Sequence, residues 1–452
     1  MTTMVELPLW LVVLALILAA IAALERVLMP SARWFLRRRA ERLVGRLNTH
    51  LSRPIRPFRL MARADRIVQL TYDREVVAAA MAHAAETGTP EPVVFQQVRK
   101  AAAEIVPGFS AIVYFSIATR LARWLSRALY TVRVGRVDAA LAQIPPEATV
   151  VFVMNHRSNM DYVLVTWLVA TRATLSYAVG EWARVWPLSA MIRAMGAFFV
   201  RRGSGDALYR RVLARYVQTI SAEGVTQAVF PEGGLSLNGQ VGPAKLGLLS
   251  YILQGYEAGH RDIVFVPVGI AYDRVLEDNV LVEAARKGER KFRGTVWNGF
   301  GFALRMIRRK MQGRYTGFGM AAVSFGAPVS LADWLTRHEA DASTLGAALM
   351  ARVAEVVPAL PVPLVACALR SGARDRAAVT AMVTDLSSQL AARGIPVELP
   401  EGGVEVAVND ALSQLLARRI VVELNGLQVA EGKADLLAFQ AGPVEQHLRP
   451  MA

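Results

Sequence analysis

Short apolar runs, separated by longer segments with helical spacing, fill the central part of the chain. Runs of four to six apolar residues are typical of buried strands, and strands that alternate with helices predict a mainly parallel sheet. We therefore predict an α/β fold with a mixed, mainly parallel sheet over residues 141–335. The predicted strands are Thr149–Met154, Leu175–Val179, Ala197–Val200, Thr226–Phe230, Ile263–Val268 and Ala321–Phe325.

Helical patterns flank this core on both sides. Residues 26–140 predict a basic, helical N-terminal region, and residues 336–452 predict a mainly helical C-terminal region. In the first of these, apolar residues recur at helical spacing through Ile112–Leu129, among three arginines. We expect a buried helix of a small helical domain at this position. A basic amphipathic helix that lies on a membrane is the alternative.

Residues 1–25 predict a membrane anchor. Leu7–Leu24 is an uncharged run of eighteen residues, which as a helix would be about 27 Å long, near the lower limit for crossing a bilayer. A cleaved signal peptide is the alternative, although no basic residue precedes the run. Twelve arginines and only two acids lie between Arg26 and Arg66. The positive-inside rule then predicts a single-pass protein of the inner membrane, with its main body in the cytoplasm.

Composition and charge limit the class of partner. The 452-residue chain carries a formal net charge of +15, with 20% charged and 54% hydrophobic residues, which indicates an anionic partner. Anionic membrane lipids fit the arginines behind the apolar run and the basic segment Trp297–Gln312. Those arginines form no known nucleic-acid-binding module, so we expect no nucleic-acid partner. The only cysteine is Cys367, which excludes a disulfide framework and favours a reducing compartment.

The candidate chemistry follows the first predicted strand directly, in Asn155-His156-Arg157-Ser158-Asn159-Met160-Asp161. A strand would deliver His156 to a strand-to-helix turn, the usual place for active-site groups in α/β sheets. There His156 could take a proton from an attacking hydroxyl, while Asp161 bonds the other ring nitrogen. The spacing alone is a weak signal, because a histidine and an acid five residues apart arise often by chance.

Three further segments follow this one in order along the chain. They are Gly196-Ala197-Phe198-Phe199-Val200-Arg201-Arg202, Phe230-Pro231-Glu232-Gly233-Gly234-Leu235-Ser236 and Val266-Pro267-Val268-Gly269. With the His156 segment they resemble the four motifs of the glycerolipid acyltransferase superfamily, and most of all its bacterial glycerol-3-phosphate acyltransferase branch. Weaker similarity, including Phe325-Gly326-x-Pro328, extends over roughly Asn48–Leu437. Four motifs in order are far more specific than any one of them.

The resemblance implies a site and its substrates. His156 would be the general base and Asp161 its orienting partner, with an acyl-CoA or acyl-carrier-protein thioester as donor and no metal or redox cofactor. A glycerophosphate-type acceptor would be held by Arg201, Arg202, Glu232, Gly233, Gly234 and Lys245. Arginine binds phosphate oxygens bidentately, lysine offers a point charge, and the backbone near Gly233 could cradle a phosphate or an oxyanion. A simple tight turn is the alternative for the glycines.

One difference from the branch concerns the acceptor. Leu235 and Leu237 stand where the branch typically has basic residues. The sequence therefore predicts an O-acyltransferase of phospholipid synthesis that acts on glycerol 3-phosphate or a related glycerophosphate. Lysophosphatidic acid, dihydroxyacetone phosphate or another lipid hydroxyl are the alternative acceptors. An inactive, membrane-associated scaffold is the alternative of another class.

Overall fold

The computed structural model describes most of the chain after residue 43. The described residues are 44–135, 137–170, 172–180, 188–201, 205–288 and 317–448, with isolated residues at 8–10, 12–14, 16, 38 and 42. Two compact units divide the chain, Met1–Pro54 and Ile55–Ala452. The second unit contains every element named below.

Two predicted membrane contacts concern residues that the structure does not describe. Most of Leu7–Leu24 and all of Trp297–Gln312 lie outside the described residues. Within the described part of the chain, no helix combines the length and the apolar character needed to cross a bilayer. The anchor at residues 1–25 therefore stays a prediction.

Eight strands form one mixed sheet, in the order β1-β7-β6-β2-β5-β3-β4 with β8 paired to β6. The pairs from β6 through β2, β5 and β3 to β4 are all parallel. β7 and β8 run antiparallel to β6, and β1 runs parallel to β7. The prediction of a mixed, mainly parallel sheet is confirmed. The strands are β1 Thr131–Val134, β2 Thr149–Met154, β3 Ser176–Val179, β4 Phe198–Phe199, β5 Gln227–Val229, β6 Ile263–Tyr272, β7 Met320–Phe325 and β8 Val329–Ser330.

The central strands are buried on both faces, which explains their continuous apolar runs. In β2, Val150 and Phe152 enter one hydrophobic core and Val151 and Val153 enter the other, because successive side chains of a strand point to opposite faces. All ten residues of β6 are buried, and Ile263 to Val266 alternate between the two cores in the same way. The sheet therefore separates two hydrophobic cores, one on each of its faces.

Helices cover both faces of the sheet. Those before β1 are α1 Pro57–Leu60, α2 Arg63–Thr71, α3 Arg74–Thr87, α4 Glu91–Ile105, a π-helix at Val113–Ala118 and α5 Thr119–Leu129. Those between strands are α6 Val137–Ala142, α7 Met160–Val169, α8 Leu188–Ala194, α9 Ala207–Ala222, α10 Gly247–Gln254 and α11 Asp278–Lys287. Those after β8 are α12 Leu331–Leu335, α13 Ala342–Glu355, α14 Pro361–Arg370, α15 Arg376–Ala392, α16 Gly403–Ala417 and α17 Ala434–Leu448.

The flanking helices divide between the two cores. Helices α2 to α4 pack with α9, α10 and α13 on one face. Helices α7 and α14 to α17 pack on the other face. A hairpin of β9 Val421–Glu423 and β10 Leu427–Val429 joins α16 to α17. Both predicted helical regions thus complete the hydrophobic cores of the sheet.

The segment Ile112–Leu129 is only half buried. Tyr114, Ala122 and Leu129 face the core, whereas Leu121 and Trp124 are 45% and 52% exposed. The expected buried helix is therefore correct for one side of the segment only. Its outer side is the amphipathic surface that the alternative interpretation described.

Candidate active site

The site begins where β2 leaves the sheet. Asn155 continues the pairing of β2 with β6 through its side chain, which donates to the carbonyl of Ile270 at 2.9 Å and accepts from its N–H at 2.8 Å. His156 therefore stands at the carboxyl edge of the parallel strands, and α7 begins four residues later. This edge is where α/β proteins place their reacting groups.

His156 and Asp161 lie together, as their spacing predicts. His156 Nδ1 is 2.9 Å from Asp161 Oδ2, and both side chains are almost fully buried. A carboxylate can only accept, so Nδ1 carries the proton and Nε2 carries the lone pair. Nε2 makes no hydrogen bond to any residue that the structure describes. The ring is therefore held in the tautomer that a general base requires.

Asp161 is fixed by three more donors. The backbone N–H groups of Arg157 and Ser158 donate to Oδ2 at 2.7 and 3.1 Å, and Tyr272 Oη donates to Oδ1 at 2.8 Å. Burial raises the pKa of Tyr272 well above its ordinary value, so this phenol stays a donor. Four donors around one buried carboxyl group match the capacity of an ionised carboxylate.

The His156 ring is enclosed by aromatic side chains. The Phe230 ring centroid lies 4.3 Å from it and that of Tyr162 lies 5.4 Å from it, and the residue is 2% exposed. Among the described residues, His156 therefore does not face an open cleft. Replacement of His156 by a small residue would leave unfilled space beside Phe230, with some loss of stability.

Glu232, a predicted acceptor-binding residue, is directed into the protein. Its Oε1 accepts the backbone N–H of His156 at 2.9 Å, and the Gly242 backbone donates to the same carboxyl group. Burial raises the pKa of Glu232 to about 7, while these two bonds and the charge of Arg157 lower it. Glu232 therefore holds the backbone of the residue that carries the base.

The two glycines and Lys245 form a turn after β5. Gly233 has a φ of +64° and donates its N–H to the Phe230 carbonyl at 3.0 Å, so this donor is already used. A Cβ at Gly233 would lie 2.7 Å from Lys245 Cδ, so the lysine stem needs the glycine. Gly234 is half-buried. The tight-turn interpretation fits Gly233. The Lys245 side chain packs directly against that turn.

Arg201 and Arg202 are the two arginines of the second motif. Arg201 Nε and Nη2 donate to the two carboxylate oxygens of Glu104 in α4, at 2.9 and 2.6 Å. This bidentate pair holds the pKa of Arg201 above its ordinary value, and the guanidinium lies 4.8 Å from the Tyr209 ring centroid. Arg202 lies outside the described residues. Arg201 thus has an internal partner that the sequence did not predict.

Three further residues of the site escaped the sequence interpretation. Tyr272 reaches Asp161 from the end of β6, four residues beyond the predicted end of that strand. Glu277 accepts from Ser158 Oγ at 2.7 Å and from the backbone and side chain of Asn159 at 3.2 and 3.0 Å. Arg157 is buried directly beside His156. Tyr272 could have been predicted from the sequence, because it is a polar residue at the end of a long apolar strand.

A cavity of the described chain lies away from these residues. A cleft of about 530 Å³ opens between α2, α9 and the loop before β6, lined among others by Arg66, Arg215 and Arg261. None of the predicted site residues that the structure describes lines it. Among the described residues, no group of three or more metal-ligating side chains is placed to hold a metal ion.

Two family models match the chain. One, described as "Acyltransferase", matches residues 136–271, and the other, described as "Glycerol-3-phosphate acyltransferase C-terminal region", matches residues 303–436. The first match contains His156, Asp161 and Glu232. Over these residues the chain is therefore similar to the acyltransferase family. The resemblance that the four motifs predict is confirmed, including its branch, because curated relatives carry the glycerol-3-phosphate acyltransferase name.

Those relatives are longer than the region they share with this chain. The chain is 30% identical over 280 residues to the glycerol-3-phosphate acyltransferase of Xanthomonas axonopodis pv. citri (strain 306). The aligned region covers 61% of this chain and 31% of the relative. The chain is 32% identical over 225 residues to that of Shewanella amazonensis, which covers 49% and 27% respectively. The shared region thus spans about three tenths of the length of these relatives.

A solved structure also overlaps with the chain. The crystal structure of the 1-acyl-sn-glycerophosphate (LPA) acyltransferase PlsC from Thermotoga maritima is 19% identical and covers 64% of this chain and 94% of that one, with a TM-score of 0.34. An overlap of this size supports no conclusion about fold or function.

Proposed function

We propose that this chain is an O-acyltransferase that moves a fatty acyl group from a thioester to a hydroxyl of glycerol 3-phosphate or a related glycerophosphate. One observation supports this above all: the His156–Asp161 pair stands at the carboxyl edge of the sheet, and Nε2 makes no hydrogen bond to the described part of the chain. A base of this kind activates a hydroxyl without a serine nucleophile, since the acceptor itself attacks.

The proposed reaction is a direct transfer. His156 Nε2 takes the proton of the acceptor hydroxyl as its oxygen forms a bond to the thioester carbonyl carbon. The tetrahedral intermediate then collapses, the carbon–sulfur bond breaks, and the imidazolium returns the proton to the departing thiolate. Asp161 stabilises the imidazolium through Nδ1. The donor is proposed to be acyl-CoA or an acyl-carrier protein, and this chemistry draws on no bound cofactor.

The acceptor is the less constrained part of the proposal. Leu235 and Leu237 pack partly buried against the core on the α7 face, so they offer no charge where the branch has basic residues. Lys245 and Arg202 are the cations proposed to meet the phosphate, and Arg201 would do so only if its pair with Glu104 opened. Lysophosphatidic acid, dihydroxyacetone phosphate and other lipid hydroxyls stay the alternative acceptors.

We propose attachment to the inner membrane, with the body of the chain in the cytoplasm. The uncharged run and its arginine flank support a single-pass anchor. The exposed Leu121 and Trp124 of α5, set among arginines with no acidic residue from 105 to 137, support a second contact with anionic lipids. Tyr130 follows α5 directly, and its ring lies 5.2 Å from that of Tyr272, so this helix ends beside the site.

One experiment separates the enzyme from an inactive scaffold. Purified full-length protein is assayed with acyl-CoA and with acyl-carrier protein against glycerol 3-phosphate, lysophosphatidic acid and dihydroxyacetone phosphate. Transfer to at least one acceptor, abolished in His156→Ala and kept in His338→Ala, is the expected result. His338 is an exposed histidine in the turn after α12 and serves as the matched control. If no acyl group is transferred from any donor to any acceptor, the inactive scaffold would be the favoured alternative.

A further inference from the structure

Arg157 is a buried cation next to His156. Its side chain is 1% exposed, and none of its three guanidinium nitrogens finds an acceptor among the described residues. Burial lowers the pKa of Arg157 to about 10, which still leaves the group charged at neutral pH. A buried, unpaired charge is destabilising, so the position of Arg157 beside His156 requires an explanation.

The C-terminal helix α17 holds this guanidinium in place. The Arg157 guanidinium carbon lies 4.8 Å from the ring centroid of Phe439, which makes a cation–π contact. Gly239 lies against both residues, because a Cβ there would lie 3.0 Å from Arg157 Nη1 and 2.3 Å from the Phe439 carbonyl oxygen. Val241 N donates to Gln446 Oε1 of the same helix at 2.9 Å. The loop after β5 and α17 thus enclose Arg157 between them.

The groups that face Arg157 are acidic. Its charge is favoured by Asp161, Glu232, Tyr272 and Asp278, and the charged groups that act on Glu232 are Arg157 and Asp161. Asp278 is already bonded by Arg418 at 2.6 Å and by Gln440 at 2.9 Å. Asp161 has its four donors. Glu232 has two backbone donors and, among the described residues, no cation in direct contact, so it depends most on a positive charge nearby.

We propose that Arg157 is a positioning residue: its buried charge, held by Phe439 of α17, favours the carboxylate form of Glu232, the form that best fixes the backbone of His156. An ionised Glu232 accepts from the N–H groups of His156 and Gly242 together. A protonated one keeps a single good acceptor oxygen and gains a proton that needs an acceptor of its own. The C-terminal helix thereby acts on the base through Arg157 and Glu232. The inference rests on the proposed acyl transfer for its kinetic readout only.

The test uses a double-mutant cycle in the full-length chain. Arg157→Met, Arg157→Lys, Glu232→Gln and Arg157→Met/Glu232→Gln are assayed for kcat and KM from pH 6 to 9. A rise of about 1 in the pKa of Glu232 would reduce its ionised fraction at pH 7 about fivefold. We therefore expect Arg157→Met to lower kcat several-fold at pH 7, to recover toward pH 9, and to leave KM nearly unchanged. Arg157→Lys should restore most of the loss, and the double variant should equal Glu232→Gln.

A second readout does not need activity. In Arg157→Met the infrared band of a protonated buried carboxyl group should be larger at pH 8 than in the wild type, and Glu232→Gln should remove the increase. Arg370→Met, which breaks an exposed pair with Glu445, is the control and should change neither readout. If Arg157→Met does not fold, Phe439→Leu is used instead. It keeps the charge of Arg157 but removes the cation–π contact, and it should shift the pH profile in the same direction.

Two outcomes would overturn the inference. Effects of Arg157→Met and Glu232→Gln that multiply in the double variant would show that Arg157 does not act through Glu232. An unchanged carboxyl band in Arg157→Met would show that it does not control the ionisation of Glu232. If the wild type transfers no acyl group, the proposed function fails, yet the infrared comparison still decides the role of Arg157.

Discussion

The two halves of the predicted site are built in different ways. The His156–Asp161 half is formed within six residues, because Asp161 accepts from the side chain of His156 and from the backbone of Arg157 and Ser158. The acceptor half depends on distant partners, since Arg201 pairs with Glu104, 97 positions earlier in the chain. Chemistry that is held by local contacts can be inferred from a motif. Recognition that is assembled across the fold cannot.

The largest expected effect tests the local half. Asp161→Asn should lower kcat about 10²–10⁴-fold, because it disturbs the tautomer and removes the charge that stabilises the imidazolium. Tyr272→Phe removes only one of the four donors to Asp161 and should cost much less. Steady-state kinetics with one acyl donor measure both variants, and Asp385→Asn, an exposed position on α15, is the control. Nearly normal turnover in a folded Asp161→Asn protein would refute the proposed mechanism.

The next effect concerns stability and pH. Burial raises the pKa of Glu232 and of Asp273 to about 7, so the folded state binds these protons more tightly than the unfolded state does. The stability that they contribute is complete below pH 4 and is lost as pH rises through about 7, by up to about 3 kcal/mol for Glu232.

Urea unfolding between pH 5 and 8.5 measures this dependence. The free energy of unfolding of the wild type should fall across the range. Glu232→Gln should make this fall smaller by the amount that the titration of Glu232 contributes. A curve of the same slope in both proteins would show that Glu232 titrates normally. Asp273→Asn, at a carboxyl group bonded by the N–H groups of Met320 and Val362, is the matched comparison outside the site.

The third effect concerns the acceptor half. Leu235→Arg restores a charge where the branch has one, and a charge-assisted hydrogen bond could lower the KM for glycerol 3-phosphate about ten- to a hundredfold. Arg202→Ala should raise that KM with less effect on the acyl donor. Kinetics with glycerol 3-phosphate and lysophosphatidic acid side by side measure both. Indifference of KM to both changes would assign the acceptor to another chemical class and would leave the His156–Asp161 proposal intact.

The contrast between the halves also explains what the sequence could predict. Thr149–Met154 is the strand β2 to the residue, because a strand with both faces buried is apolar throughout and cannot be mistaken for an amphipathic element. β1 was missed, since Arg133 interrupts its four residues and only its pairing with β7 makes it a strand. β9 and β10 are three residues each and are defined by each other.

The site residues follow the same rule. His156 and Asp161 meet because α7 begins four residues after His156. Glu232 was assigned to the acceptor, yet it bonds the backbone of a residue 76 positions away, which no pattern within its own motif indicates. Arg157 was visible in the motif, but its burial depends on α17, almost three hundred residues later.

The smallest expected effect decides which half Arg201 belongs to. If its pair with Glu104 is structural, then Arg201→Gln, Glu104→Gln and the double variant should lower the free energy of unfolding by similar amounts, within about 1 kcal/mol. The KM for glycerol 3-phosphate should then stay constant in all three proteins. If Arg201 instead leaves the pair to bind phosphate, Arg201→Gln should raise the KM and Glu104→Gln, which frees the guanidinium, should lower it. The pair of Arg215 with Asp73 has similar exposure and serves as the control. We expect the structural result, because both oxygens of Glu104 are engaged and the Tyr209 ring covers the guanidinium.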